Sequence, residues 1–261
     1  MKDSSTRPGN SSSGSNQPRP DASTPWSAGQ TLGLGLAIAI LLPLVNMVVA
    51  LLMAGFASIA DSEFNQQLFL RGLQHDGHYL TLAIIATNVA TVWMLLLFVR
   101  MRGAVDWRTY LAVRLPVQSA WVVAALVLAL YLSVSHLLGQ TTQRPLFPEF
   151  LIKVYQSADP LLLFWLAVGI IAPLAEELFF RGFLFVGLRN SRFGASGAIV
   201  ITALLWSVTH VQYDLYDKID IFVLGLVLGW LRHRYNSVLV PLMGHIGMNL
   251  MVLTILADHL G

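Results

Sequence analysis

Residues 31–58 read TLGLGLAIAILLPLVNMVVALLMAGFAS, a run without one charged side chain. A helix rises 1.5 Å per residue, and about 20 residues cross roughly 30 Å of hydrocarbon, so this stretch alone is long enough to span a bilayer. Six more apolar stretches follow, at about 79–99, 117–138, 160–188, 195–213, 219–231 and 238–257, each bounded by polar or charged residues. The apolar residues fall in long runs rather than in alternation or in a single amphipathic stripe. These runs predict an all-α protein, a polytopic transmembrane helical bundle of about seven spans. For a straight crossing the fourth stretch is long and the sixth short, so tilted or broken helices are expected there.

Composition leads to the same class. Of 261 residues, 56% are hydrophobic and 11% charged, with a mean hydropathy of +0.65; a soluble domain carries charge on about a quarter of its residues. Membrane lipids are therefore implied partners. Sixteen Lys and Arg against fourteen Asp and Glu leave no basic footprint for nucleic acid. The absence of cysteine excludes thiol nucleophiles, disulfides, iron–sulfur clusters and Cys-ligated zinc.

Ahead of the first run, residues 1–30 hold eight Ser, three Gly and four Pro and few apolar side chains. Such a segment cannot bury enough surface to offset its ordering entropy and reads as a disordered N-terminal tail. It is also too polar for a signal peptide, whose apolar run follows closely on the first basic residues. The chain divides into this tail, N-terminal transmembrane helices over 31–159 and a C-terminal unit over 160–257 that holds the ionisable residues at membrane depth.

Basic residues set the orientation, since cytoplasmic loops carry the Lys/Arg excess. With the N-terminus inside, eleven of the sixteen lie on the inner side: Lys2, Arg7, Arg19, Arg100, Arg102, Arg108, Arg114, Arg189, Arg192, Arg232 and Arg234. Four lie outside, and Arg181 falls within the fourth stretch. Seven spans then put the C-terminus outside. The expected location is the plasma membrane of a prokaryote. Gly225 and Gly229 form a small-xxx-small pair suited to close helix packing.

An ionisable residue at membrane depth costs several kcal/mol unless paired or hydrated, so each is a functional candidate. Three clusters qualify: Glu176, Glu177 and Arg181; His210, four residues after Trp206; and His245 with Asn249. Glu177 and Arg181 are four apart on one helical face and are expected to pair as structural support. Glu176 points about 100° away and is expected to be free. His245 and Asn249 also share a face. Pro173 and Pro241 stand just before the first and third clusters, where each removes a backbone hydrogen bond and favours a kink.

In this order on the fourth, fifth and seventh stretches, the EExxxR of Glu176 to Arg181, the aromatic-xxx-His of Trp206 to His210 and the HxxxN of His245 to Asn249 resemble the CAAX prenyl endopeptidase-like intramembrane proteases. That family is also called CPBP or Abi. Its second motif is usually FxxxH, and Trp206 stands here for the Phe. The resemblance covers about residues 160–255. It implies a protease core at 160–257 and an endopeptidase that cleaves a membrane-associated protein or peptide. By the family pattern Glu176 is the base that activates water, His210 and His245 orient that water or a metal, and Asn249 is the oxyanion partner. The chemistry suits each role: a carboxylate among apolar helices can work as a general base, and an amide N–H can donate to a developing oxyanion.

Members of the family have been described both as metalloproteases and as metal-independent glutamate proteases. Two readings stay open: Zn²⁺ held by His210, His245 and one glutamate such as Glu176, with an open position for water, or Glu176 acting without metal. Other intramembrane proteolytic signatures fail. There is no HExxH, and Tyr213-Asp214 and Tyr216-Asp217 have no accompanying GxGD. Gly194-Ala195-Ser196-Gly197 matches a GxSG but sits beside Arg192 at the expected cytoplasmic rim. The competing reading is a non-catalytic membrane scaffold or immunity-type protein that retains the protease fold.

Overall fold

In the computed structural model, residues 25–61, 63–103 and 106–261 are described. Up to residue 24 the expected tail lies outside them, and Ala28 to Gln30 already open the first helix. Eight helical segments carry the architecture: α1 (Ala28–Ala60), α2 (Gly77–Met101), α3 (Ser119–Thr141), α4 (Glu149–Ser157), α5 (Leu161–Arg189), α6 (Gly194–Thr209), α7 (Leu215–Tyr235) and α8 (Leu239–Leu260). No strand occurs among the described residues. The molecule is a helical membrane bundle. By length and composition, α1, α2, α3, α5 and α8 can each cross a membrane.

Two boundaries differ from the sequence reading. The fifth stretch was expected to run to 213, but α6 ends at Thr209: His210 leaves the helical region with φ −84° and ψ 59°. The sixth was expected to be short, yet α7 has 21 residues. Asp214 explains both, because its carboxylate accepts the Asp217 N–H and starts a new helix there, an N-cap preference that overrides the apolar pattern. The charged first and last turns of α7 extend it beyond its oily centre.

Close approach is arranged by small residues. A Cβ added at Gly225 would lie 2.9 Å from the Ala203 Cβ, and one at Gly229 would lie 3.1 Å from Ile199. The small-xxx-small pair is therefore the seam between α7 and α6. The central core holds Leu95, Phe98, Phe180, Phe183, Trp206 and Leu228, all buried.

The connections gather at two ends. At one, the Trp26 indole donates to the Phe98 carbonyl, Val238 N–H to the Ala112 carbonyl and the Ser237 hydroxyl to the Arg114 carbonyl. At the other, the Ser157 hydroxyl donates to the His75 carbonyl, Arg144 pairs with Asp214 and Asp217, and Phe147 packs on His259.

Candidate active site

The site grows out of α5, which is not one uniform helix. Its backbone runs α over Leu161–Leu166, π over Ala167–Ile171, α over Ala172–Glu177, π over Leu178–Leu184 and α again over Phe185–Arg189. Pro173 has a part in the first break. The Ala172 N–H reaches back five residues to the Ala167 carbonyl, and the donor next in that register would be Pro173, which has none. The Val168 carbonyl instead accepts the Asn249 Nδ2 at 2.8 Å, from the facing helix α8. A backbone group freed inside the bundle is thus satisfied by a neighbour, as an apolar environment requires. Single π turns commonly mark functional sites.

Glu177 and Arg181 pair as their spacing predicts. Arg181 Nη1 donates to Glu177 Oε1 at 2.9 Å with both side chains fully buried. The guanidinium also donates from Nη2 to the Gly225 carbonyl at 3.2 Å and lies 4.6 Å from the centre of the Trp206 ring. Spacing alone does not reveal a third partner: His245 Nδ1 is 3.0 Å from the same Glu177 oxygen. Glu177 Oε2 and Arg181 Nε carry no hydrogen bond, so this buried pair depends on one carboxylate oxygen shared between Arg181 and His245.

Glu176 is not free, contrary to the sequence reading. Its Oε2 accepts the Trp206 Nε1–H at 2.6 Å and lies 4.0 Å from His245 Nε2. About a quarter of the side chain remains exposed (26%). The two adjacent carboxylates therefore approach the two nitrogens of one imidazole. The Nδ1 side of the ring thus faces Glu177 and the Nε2 side faces Glu176. Trp206 packs edge-on against both histidines, with ring centroids 5.2 Å from His210 and 5.1 Å from His245.

His210 is tied down separately. Its Nδ1 is 2.8 Å from the Trp206 carbonyl, and its ring stacks on Tyr213 at 6.1 Å. The structure thus brings Glu176, Glu177, Arg181, Trp206 and His245 into direct contact. His210 joins them through the indole, and Asn249 sits one turn along α8 with its amide on Val168. The set His210, His245 and Glu176 is not assembled for zinc: among the described residues no group of three or more His, Cys, Asp or Glu side chains is placed to hold a metal ion. His210 closes α6 with its Nδ1 on the Trp206 carbonyl, and the Trp206 indole N–H is bonded to Glu176 Oε2. The sequence reading missed the part of Trp206. A buried indole N–H nearly always has an acceptor, so the Trp in place of Phe was the available signal.

Residues 158–251 match a family model described as Rce1-like, type II CAAX prenyl endopeptidase Rce1-like. An uncharacterized 24.3 kDa protein of Escherichia coli is 34% identical over 131 residues, which cover 48% of this chain and 58% of that protein. The UPF0177 protein YxdF of Lactococcus lactis subsp. lactis (strain IL1403) is 28% identical over 83 residues, 32% of this chain and 44% of its own length. The chain spans about half the length of the curated relatives it matches. No solved structure matches it.

Proposed function

Since residues 158–251 match the model of the Rce1-like, type II CAAX prenyl endopeptidase family, we propose that this chain is an intramembrane endopeptidase that hydrolyses a peptide bond in a membrane-associated protein or peptide. The observation that carries the reading is the pair Glu176 Oε2 and His245 Nε2, 4.0 Å apart, with Glu177 on the other face of the imidazole. A water about 2.8 Å from each atom fits between groups at that spacing.

Glu176 is the general base. Trp206 fixes its Oε2, so the oxygen beside which that water sits is held in place to take a proton. As the water oxygen attacks the carbonyl carbon, Glu176 accepts its proton and later gives it to the leaving amine. His245, aligned by Glu177, steadies the water. The Asn249 amide has a second N–H beyond the one on Val168, and that donor serves the oxyanion of the tetrahedral intermediate. His210 orients the substrate at the open end of α6. Glu177 and Arg181 are positioning residues, and no step runs through a metal. The N-terminus is cytoplasmic in this reading, and the protein resides in a prokaryotic plasma membrane.

The test is cleavage of a membrane-anchored peptide by the purified full chain. Glu176→Ala should abolish cleavage and Glu176→Gln should nearly do so, with both variants still folded and melting within several degrees of wild type; activity should survive a chelator. Cleavage that persists in Glu176→Ala would refute the assignment. Activity lost in chelator and restored by zinc would overturn the metal-free mechanism. A wild-type chain that cuts no membrane-anchored peptide would favour the scaffold reading.

A further inference from the structure

The end of the bundle opposite Tyr213 holds a buried cation without an anion. Arg232, in the last turn of α7, is 1% exposed. Its Nε donates to the Arg181 carbonyl at 2.8 Å, its Nη1 to Asn236 Oδ1 at 3.2 Å, and its guanidinium lies 5.1 Å from the centre of the Phe185 ring. All these partners are neutral. Among the described residues no carboxylate pairs with it, and its Nη2 has no hydrogen bond. Buried charges are ordinarily paired with an opposite charge.

Two more arginines stand on the adjoining segments: Arg189, and Arg114, whose carbonyl accepts the Ser237 hydroxyl at 2.6 Å. Arg189 Nη1 donates to the same Asn236 oxygen, at 3.4 Å, so two guanidinium nitrogens stand no farther apart than the sum of their distances to that atom. Asn236 is held in the left-handed region, φ 45° and ψ 38°, at the C-cap of α7. Three chain segments, at 114, 189 and 232–236, thus bring arginines to one spot without an acid. The C-terminal end of α7 offsets only part of this repulsion, since helix-dipole effects are small and confined to the last turn.

We propose that Arg114, Arg189 and Arg232 form a binding site for a phosphate group, supplied by the headgroup of an anionic membrane lipid. Arginine's planar fork matches phosphate oxygens in pairs, and basic pockets between membrane helices on the cytoplasmic side hold anionic headgroups. The site is independent of the proteolytic reading. Because Arg232 also holds the Arg181 carbonyl, an occupied site would stiffen the π turn that carries Arg181.

The test uses the full chain in nanodiscs of pure phosphatidylcholine or with about one-fifth phosphatidylglycerol, and in detergent with inorganic phosphate. Melting temperature and lipid retained in native mass spectra are the readouts. Arg232→Gln also removes a buried bond to the Arg181 carbonyl, so the deciding variant is Arg114→Gln/Arg189→Gln, with Arg192→Gln/Arg234→Gln as a control of equal charge. Phosphatidylglycerol should raise the wild-type melting temperature and be retained. Binding should weaken about tenfold or more in the site variant and stay near wild type in the control. Stabilisation by inorganic phosphate as well would support the site with a free anion as an added source. No effect of either ligand on wild type, or equal losses in both double variants, would overturn the proposal.

Discussion

Removing Arg181 tests how the site is held together. The substitution Arg181→Ala deletes a fully buried ion pair at 2.9 Å, a hydrogen bond to the Gly225 carbonyl and a guanidinium stacked on Trp206. At an effective dielectric of about 20, unit charges at that spacing attract by at most roughly 6 kcal/mol. Part of this is offset by desolvation, and breaking one side of a buried pair costs about 3–5 kcal/mol because the other charge is left stranded. For a chain of this size that corresponds to a melting temperature lower by about 10 °C. Glu176→Ala is the comparison: it removes one partly exposed carboxylate with one hydrogen bond, a loss of about 1–2 kcal/mol. The assay is thermal unfolding of purified protein in detergent, alongside its yield from the membrane. A double-mutant cycle isolates the pair: Arg181→Met with Glu177→Gln should cost less than the two single changes summed, by about 2 kcal/mol. Arg181→Ala that melts within a degree of wild type, or strictly additive double-mutant costs, would refute the reasoning.

Trp206→Phe keeps the aromatic packing but deletes the N–H that holds Glu176 Oε2; peptide cleavage should fall about tenfold through kcat while the melting temperature stays within a few degrees, as kinetics beside calorimetry would show. The Asp214 carboxyl is held below its ordinary value first by the Asp217 N–H and then by Arg144. Its contribution to stability is present above the ordinary carboxylate range and fades as pH falls through the lower folded-state value. Asp214→Ala should therefore flatten the acid side of the stability–pH curve, a comparison that melting curves between pH 7 and pH 3 would make. Reporter fusions at Asp3 and Asp258 should report the cytoplasm and the outside, respectively; two cytoplasmic signals would imply an even number of spans.

Local pattern was enough for the class of fold and for one contact of the site. Uncharged runs such as 31–58 have one stable solution in hydrocarbon, the helix, because each backbone group must be satisfied within its own segment. The pairing of Glu177 with Arg181 was legible for a similar reason: a four-residue spacing is a property of one helix and needs no tertiary information. Gly225 and Gly229 likewise announced a seam, though not that Ala203 and Ile199 face it.

What periodicity does not carry is how a helix departs from periodicity. Two π turns rotate the residues of α5 relative to any regular wheel. The 100° rule therefore separated Glu176 from Glu177, yet it could not show both carboxylates converging on His245 from 68 and 69 residues away in sequence. The capture of the Val168 carbonyl by Asn249, the Trp206 N–H on Glu176 and the anchoring of His210 to its own helix all depend on how α5, α6 and α8 are packed against one another. In the sequence the ionisable residues stand out because each is costly alone in an apolar interior; which of them meet was decided by three-dimensional packing, where a buried donor or acceptor must find its partner on another helix.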